Sequence, residues 1–316
     1  MINLIKVGVI GVGHLGKEHA RIYSQMPGCQ LVGIVDAHPK TAEAIAKKVK
    51  CPVFPSAESL LEAVDAISVV VPTSLHWEVA RHFLERGKDV FIEKPIAETT
   101  EQAEKLVHLA QAKNCLLQVG HVERFNPVLS YLEQTLKEPK FIEAHRLSNY
   151  PGRGTDVSVV LDLMIHDLDV ILHLVGAPIV SFDAVGVSVL SPSEDIANVR
   201  LKFANGCVAN ITTSRISPEK MRKIRVFSSD RYISLDYQNQ EGLMYWKEDG
   251  GIKREKVPVT KDEPLKLELV SFIESVRHRS EPKVSGEQGK RALDIAVAIV
   301  EQIRKENQIN HGGQKS

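Results

Sequence analysis

The sequence predicts an α/β chain, in which a doubly wound parallel sheet is followed by an α+β part with a large open, mainly antiparallel sheet. Two observations predict this class. Through the first 120 residues, short apolar runs alternate with amphipathic stretches. After residue 120 the rhythm changes to runs of alternating polarity, with helical patterns before and after them. We therefore predict one domain over residues 1–120 and a second over residues 121–316.

The elements of the first domain follow from their apolar runs. These runs are almost continuously apolar, as strands buried on both faces must be. Between them lie stretches with the apolar spacing of amphipathic helices. The predicted strands are 5–10, 30–35, 66–71, 89–93 and 115–119, and the predicted helices include 76–86 and 99–112.

The second domain mixes helices with strands that have one polar face. Asn205-Gly206 lies between two alternating runs and predicts a tight hairpin, and a further hairpin is predicted near 248–251. The predicted helices are 126–137, 159–174, 263–278 and 287–305, and the predicted strands are 179–190, 197–214, 222–228 and 231–236.

Composition excludes several classes of protein. Among the 316 residues, 40 Lys and Arg balance 40 Asp and Glu, so no overall basic excess points to nucleic acid. No stretch approaches the roughly 18 uncharged apolar residues of a membrane span, and none is expected. The four cysteines are far apart and form no C-x-x-C pair. This favours reduced thiols in the cytoplasm over a disulfide framework or a zinc site.

A glycine-rich loop follows the first predicted strand. Gly11, Gly13 and Gly16 have G-x-G-x-x-G spacing, with His14 and Leu15 inside the loop. In a strand–turn–helix context this spacing predicts a dinucleotide-binding Rossmann fold. The first glycine permits the turn, the second lets the backbone approach the pyrophosphate, and the third lets helix and strand pack closely. A glycine-rich turn without a ligand is the alternative.

An acidic residue ends the second predicted strand. Asp36 lies 20 residues after Gly16 and is placed to accept hydrogen bonds from the adenosine ribose hydroxyls. Its charge would repel a 2′-phosphate, so NAD is favoured over NADP. Lys40 leaves that preference open.

The turn after the third predicted strand is a further candidate cofactor contact. In "VPTSLH", Thr73 follows a proline and His76 begins a predicted helix. Ligands of open α/β sheets bind at this carboxyl edge of the strands. Thr73 is equally suited to cap the helix, and the two roles are compatible.

The fourth predicted strand ends in an unusual dipeptide. "DVFIEKP" places Glu93 and Lys94 at the same carboxyl edge, before Pro95. A lysine there can reach a substrate hydroxyl, whereas a solvated surface charge is the alternative. Glu93 either contacts the cofactor or helps to set the position and charge of Lys94.

The predicted helix 159–174 is too apolar to be a surface element, yet it contains a candidate base. Asp162 and His166 are one turn apart on one face. An aspartate in this position can orient the ring, and histidine accepts protons near neutral pH. A structural histidine is the alternative. His166 and His173 are two turns apart, so the histidine pair of helical zinc sites is absent and no metal is expected.

Together, "GVGHLG", the "EKP" at 93–95 and the D-x-x-x-H at 162–166 resemble the glucose–fructose oxidoreductase/inositol dehydrogenase (Gfo/Idh/MocA) family. "PTSLH" is similar to its cofactor-side turn, and the resemblance covers nearly the whole chain. It implies an NAD(P)-dependent dehydrogenase of sugars, nucleotide sugars or cyclitols. It also implies that Lys94 hydrogen-bonds the reacting hydroxyl, that His166 is the acid/base and that Asp162 supports it.

Two further stretches, "VGHVERFNPVL" (119–129) and "SNYPGRG" (148–154), resemble the branch of the family that oxidises nucleotide-activated amino sugars. That resemblance implies C3 oxidation of UDP-N-acetylglucosamine, which supplies a 3-keto sugar to an aminotransferase of lipid A synthesis. Arginines suit a diphosphate, and amide or phenol groups suit sugar hydroxyls or a uracil. The alternatives are that Arg124 pairs with Glu123 or Asp156, and that 148–154 is an ordinary turn. The candidate substrate residues are Glu123, Arg124, Asn126, Asn149, Tyr150 and Arg153.

Two other functions remain open at this point. One is a dehydrogenase of a free cyclitol or sugar, and the other is an NAD-binding regulator without catalysis.

A homo-oligomer, dimer or tetramer, is also expected. Val199, Leu201 and Phe203 share one side of a predicted strand that needs covering, and the family resemblance implies sheet packing between subunits.

Overall fold

The computed structural model describes residues 4–150, 152 and 157–312, with side chains through residue 309. These residues group into two compact units. The first contains the described residues up to Val122 together with Glu263–Arg291, and the second contains Glu123–Asp262 and the residues from Ala292 onward. The predicted division at residue 120 differs in one respect, because it left segment 263–291 in the second domain.

The first unit is built on a parallel sheet, which has five strands among the described residues. Their spatial order is β2-β1-β3-β4-β5, so the order reverses between β1 and β3. This confirms the predicted doubly wound sheet, and its ligand crevice belongs at that reversal. The strands are β1 Ile5–Ile10, β2 Cys29–Val35, β3 Ala66–Val69, β4 Asp89–Glu93 and β5 Leu117–Gly120.

Helices from both chain segments belong to this unit. The helix of the second segment, α8 Pro264–His278, packs against the first helix and β1 and contributes Phe272 to the core. The Phe272 ring meets the Phe91 ring edge-on at 5.8 Å. Arg277 fixes the end of the later helix by donating to the Gly28 carbonyl at 2.7 Å. The helices are α1 Gly16–Gln25, α2 Pro39–Val49, α3 Ala57–Leu61, α4 His76–Leu84, α5 Thr100–Ala112 and α8 Pro264–His278.

The second unit is built on a larger sheet, with eight strands in the described part of the chain. Their order is β13-β12-β11-β10-β6-β9-β8-β7, and every pair is antiparallel except β6 with β9. The strands are β6 Phe141–Leu147, β7 Ile179–Val187, β8 Ile196–Phe203, β9 Val208–Ser214, β10 Met221–Phe227, β11 Arg231–Asp236, β12 Glu241–Glu248 and β13 Gly251–Lys256.

Both predicted hairpins of this sheet are confirmed. Gly206 turns the chain between β8 and β9 with a φ of 82°. Asp249 and Gly250 join β12 to β13 with φ values of 51° and 77°. Two successive positive φ values twist the turn in the sense that flanking strands require.

One face of the large sheet is covered by helices of the chain itself. These are α6 Pro127–Thr135, α7 Ile165–Val175 and the second part of α9 Gly286–Gly312. Val199, Leu201 and Phe203 are buried in the resulting core. The apolar side that the sequence analysis offered as a reason for a partner subunit is therefore already covered, and that argument was wrong.

The opposite face of the large sheet carries a row of half-buried aromatic rings. Phe141, Phe227, Tyr232 and Tyr245 lie side by side on four neighbouring strands, with centroid separations of 5.7, 4.5 and 5.2 Å. Such cross-strand aromatic pairs stabilise strand register. Within the described residues, every helix is too short or too polar to cross a membrane.

Candidate active site

The glycines of the loop after β1 meet different surroundings. Gly11 has a φ of +84°, and a Cβ there would lie 2.4 Å from the Val70 carbonyl oxygen. A Cβ on Gly16 would lie 1.8 Å from the Gly11 carbonyl oxygen. For Gly13, by contrast, no atom of the described chain lies within 4 Å of that position. Two glycines are thus needed by the fold itself, and the third leaves room for a bound group.

The start of α1 fits the pyrophosphate of a dinucleotide. Leu15 is the N-cap residue, and among the described residues no side chain caps this end. His14 and Leu15 are exposed beside the open space at Gly13. The first backbone N–H groups of a helix and its positive dipole end favour an anion here.

Asp36 holds the backbone of the glycine loop. One carboxylate oxygen accepts the backbone N–H of Val12 at 2.7 Å, and the other accepts that of His38 at 2.8 Å. Because a carboxylate has about four lone-pair sites, it can accept ribose hydroxyls in addition. Together with the loop, this residue set fits a dinucleotide.

His76 lies buried between two backbone carbonyls. Its Nδ1 is 2.8 Å from the Pro95 oxygen, and its Nε2 is 3.0 Å from the Val71 oxygen. Burial lowers the pKa of His76, although these carbonyls oppose the shift. A neutral ring donates from one nitrogen at a time. The ring thereby links the backbone that follows β3 to the turn that follows Lys94.

Thr73 begins a short 3₁₀ turn, Thr73–Leu75, and is half-buried. The helix α4 begins at His76, as predicted. Its N-cap residue is Leu75, and no side-chain hydrogen bond caps it in the described part of the chain. The capping role suggested for Thr73 is therefore wrong, and its cofactor role stays a prediction.

Lys94 follows β4 at the carboxyl edge of the parallel sheet, and its peptide bond to Pro95 is cis. Its backbone N–H donates to Glu93 Oε2 at 3.2 Å. The other Glu93 oxygen is 3.1 Å from His19 Nε2. Sequence reasoning missed His19; the available signal was its spacing with Ile22 and Tyr23 on the buried face of α1.

In the second unit, Asp162 and His166 lie where the helix changes its hydrogen-bonding pattern. Residues Val160–Met164 form a π-helical turn, and α7 continues from Ile165. Asp162 is exposed and His166 is half-buried. Such π-helical turns are frequent at functional sites.

The other polar residues of this helix have different partners. Asp169 lies 3.6 Å from Arg124. His173 lies 2.9 Å from Glu133. Nowhere in the described ranges do three or more His, Cys, Asp or Glu side chains cluster to hold a metal ion.

A buried charge cluster anchors α7 next to His166. Arg146 of β6 binds both carboxylate oxygens of Asp167, at 2.7 and 3.0 Å, and Glu123 at 2.9 Å. Burial raises the pKa of Asp167, against the opposing charge of Arg146. Burial opposes the charged form of Arg146 too, but the two carboxylates raise its pKa beyond its usual range. None of these pairs could be read from sequence spacing.

The six candidate substrate residues are placed differently. Glu123, Arg124 and Asn126 are buried in the second unit. Glu123 binds Arg146, and Arg124 lies 3.6 Å from Asp169. The Asn126 oxygen caps α6, and its amide donates to the Tyr237 carbonyl at 3.1 Å. A substrate role for these three stays a prediction.

The remaining candidates lie in the stretch after β6. Asn149 is exposed and donates to the carbonyls of Ser217 and Pro218 at 3.2 and 2.9 Å. Tyr150 is 41% exposed. Arg153 and Asp156 lie outside the described residues. Substrate contact by this segment therefore also stays a prediction.

Comparison with known proteins finds matches in both parts of the chain. Residues 5–121 match the model of an oxidoreductase family with an NAD-binding Rossmann fold, and residues 135–234 match the Gfo/Idh/MocA C-terminal domain. The chain is 37% identical over 302 residues to UDP-N-acetylglucosamine 3-dehydrogenase of Acidithiobacillus ferrooxidans, covering 93% of this chain and 96% of that one.

A solved structure of that dehydrogenase superposes with a TM-score of 0.91, covering 95% of this chain and 98% of the other. Inositol 2-dehydrogenase of Rhizobium meliloti is 26% identical over 97% of this chain and 99% of its own. Similarity therefore extends through both units. The chain belongs to the Gfo/Idh/MocA family of oxidoreductases, whose first domain is an NAD-binding Rossmann fold.

Proposed function

We propose that this protein oxidises the C3 hydroxyl of UDP-N-acetylglucosamine with NAD. One observation carries the proposal. The chain is 37% identical to a UDP-N-acetylglucosamine 3-dehydrogenase, and the matched residues extend through both units. Identity to an inositol dehydrogenase over a comparable length is 26%. A nucleotide sugar is therefore favoured over a free cyclitol.

The reaction removes a hydride from carbon and a proton from oxygen. Bound NAD supplies the hydride acceptor. In the proposal, His166 accepts the hydroxyl proton and Asp162 supports its charged form. Lys94 donates a hydrogen bond to the same oxygen and stabilises the negative charge that develops there. Gly13, the start of α1 and Asp36 are the groups proposed to hold the cofactor.

Asp36 supports NAD over NADP. Its two oxygens accept backbone N–H groups, so the side chain is held beside the glycine loop, where the proposal puts the ribose. A 2′-phosphate at that position would meet like charge, which costs several kcal/mol at short range in a partly buried site (about 4 kcal/mol at 4 Å).

The finer biological setting is also part of the proposal. A 3-keto nucleotide sugar suits an aminotransferase, and we place the reaction before such a step in lipid A synthesis. Cytoplasmic location is supported by the free thiols of Cys29, Cys51, Cys115 and Cys207. Assembly into a dimer or tetramer through the aromatic face of the large sheet is supported by its row of half-buried rings.

The direct test is substrate-dependent formation of NADH, followed by absorbance. UDP-N-acetylglucosamine should be oxidised with NAD, with a weaker response to NADP and to myo-inositol. Borodeuteride reduction of the product, followed by mass spectrometry, should place deuterium at C3. Turnover of free polyols alone would overturn the nucleotide-sugar assignment in favour of the cyclitol alternative. Absence of turnover across a broad sugar panel would favour a non-catalytic regulator.

The catalytic roles are tested by two variants. Lys94→Ala and His166→Ala should each lower kcat by about 100-fold or more, because each removes a group that acts on the reacting hydroxyl. NAD affinity, measured by fluorescence titration, should change little. His173→Ala is the matched control, since His173 lies on the same helix and pairs with Glu133. Near-wild-type turnover in the first two variants would end this assignment of roles.

A further inference from the structure

We propose that His19 and Glu93 form a positioning pair, which transmits the placement of the phosphate-binding helix α1 to the backbone of Lys94. The inference rests on the proposed function, in which Lys94 acts on the reacting hydroxyl. It concerns residues of the first unit only, and it assigns a role to Glu93 that differs from direct cofactor contact.

Each oxygen of the Glu93 carboxylate has a separate partner. Oε1 is 3.1 Å from Nε2 of His19, which lies one turn into α1. Oε2 accepts the backbone N–H of Lys94 at 3.2 Å. One side chain therefore links the helix that begins at the glycine loop to the residue proposed to contact substrate.

Packing leaves the pair little freedom to move. The His19 side chain is fully buried and the Glu93 side chain is 12% exposed. The His19 ring meets Phe91 edge-on at 5.3 Å. On the other side, a Cβ on Gly120 would lie 2.9 Å from Glu93 Oε2, so the backbone of β5 lies directly against the carboxylate. A buried, fully packed pair holds a fixed geometry.

The charge of Glu93 depends on its surroundings. Among the described residues, the titratable groups that face it are His19 and Tyr23 of α1, His76 of α4 and its neighbour Lys94. Burial opposes the carboxylate, but the hydrogen bond and charge of His19, followed by the charge of Lys94, lower the pKa of Glu93.

Loss of His19 should reverse that balance. A glutamine in its place can still donate a hydrogen bond but carries no charge, so burial opposes the carboxylate more strongly and the pKa of Glu93 rises. If the carboxylate form positions Lys94, activity is lost as pH falls through the Glu93 pKa. Protonation of His166 also lowers kcat on the acid limb, so a His19 variant must lose activity there at higher pH, or more steeply, than wild type.

The test compares His19→Gln and Glu93→Gln with a matched control, His82→Gln. His82 lies 2.7 Å from Glu58 in the same unit, but this pair is partly exposed and lies on other elements. The measurements are kcat against pH, NAD affinity, and the rate at which a succinimidyl ester labels Lys94 in the NAD-loaded protein, followed by peptide mass spectrometry. Thermal denaturation checks that each variant folds.

We expect Glu93→Gln to lower kcat about tenfold or more, as small misplacements of a reacting group do. NAD affinity should stay within about twofold, because the pyrophosphate groups are untouched. His19→Gln should move the acid limb to higher pH or make it steeper. Both variants should change the Lys94 labelling rate, whereas His82→Gln should not.

Unchanged Lys94 labelling together with an unchanged acid limb in the folded variants would overturn the inference. Should the amide variants not fold, Glu93→Asp keeps the charge but shortens the reach, and the same change in Lys94 labelling is expected. A wild-type enzyme that fails to oxidise UDP-N-acetylglucosamine would refute the proposed function instead. The labelling comparison does not depend on turnover and still decides the positioning role.

Discussion

Gly13 and Gly16 stand three residues apart in one loop, and a methyl group would meet opposite surroundings at the two positions. At Gly16 the added carbon would lie 1.8 Å from a backbone oxygen, which cannot move aside without distorting the turn. At Gly13 it would point into open space. Folding therefore requires Gly16 to be a glycine, whereas Gly13 leaves open the space that we propose for the ligand.

This contrast gives a paired prediction. Gly16→Ala should reduce the free energy of unfolding by about 3 kcal/mol through overpacking. Gly13→Ala should unfold within about 0.5 kcal/mol of wild type, yet bind NAD more weakly because the carbon occupies the space for the pyrophosphate. Chemical denaturation and NAD titration measure the two effects. Equal NAD affinity in Gly13→Ala and wild type would refute the role of that space.

Asp36 gives a second prediction at the scale of one residue. Asp36→Ser removes the charge opposed to a 2′-phosphate, so the ratio of kcat/KM for NAD over NADP should fall about tenfold or more, which corresponds to about 1.4 kcal/mol. Lys40→Ala is the control and should leave the ratio almost unchanged. A larger effect from Lys40→Ala would show that this lysine, and not Asp36, sets the preference.

The sequence could predict candidate site residues that belong to local motifs, and not those that depend on distant partners. The glycines, Asp36 and Lys94 stand at fixed distances from strand ends, so their location follows from the parallel sheet. His19 meets Glu93 across 74 residues of sequence, and no spacing rule connects them. Arg146 meets Asp167 across 21 residues for the same reason.

At the scale of elements, the strands and hairpins with simple patterns were predicted well and β6 was not. β6 lies inside the large sheet, between β9 and β10. Its inward side carries Ile142, Ala144 and the buried Arg146, so a charge interrupts the apolar alternation that identifies a strand. The π-helical turn at Val160–Met164 was also missed, because side-chain periodicity does not distinguish one turn of π-helix from α-helix.

The buried charge on β6 predicts that substitutions of two arginines will lower the free energy of unfolding by very different amounts. Arg146→Met should reduce the free energy of unfolding by about 3–5 kcal/mol, because Asp167 and Glu123 would be left buried without their partner. Arg225→Met, on the neighbouring strand β10, removes a partly exposed pair with Glu143 and should cost about 1 kcal/mol or less. Urea denaturation compares them. Similar losses would show that burial does not determine the contribution of these pairs.

At the scale of the whole molecule, the first unit is discontinuous in sequence. Leu269, Phe272 and Ile273 of α8 belong to the same core as Val7 and Phe91 of the parallel sheet. The chain that forms the sheet strands therefore lacks part of its own core until residues 263–291 are present.

This organisation predicts the behaviour of fragments. A chain ending at residue 122 should fail to unfold cooperatively, because the side of the sheet that α8 covers would be exposed. Joining residues 4–122 to 263–291 through a flexible linker should restore cooperative unfolding and NAD binding. Circular dichroism during heating and NAD titration measure both outcomes. A stable, NAD-binding fragment that ends at residue 122 would contradict the assignment of residues 263–291 to the first unit.

The same discontinuity affects how the protein is made. After residue 122 leaves the ribosome, about 140 further residues precede the start of the segment that completes the first unit. At roughly 5–20 residues per second, that interval is on the order of 10 to 30 s. During it, the nascent parallel sheet presents apolar surface to the surrounding solution. The cofactor-binding half is thus the first to be synthesised, yet it must await nearly the whole second half, and chaperone binding is expected to concentrate in this window.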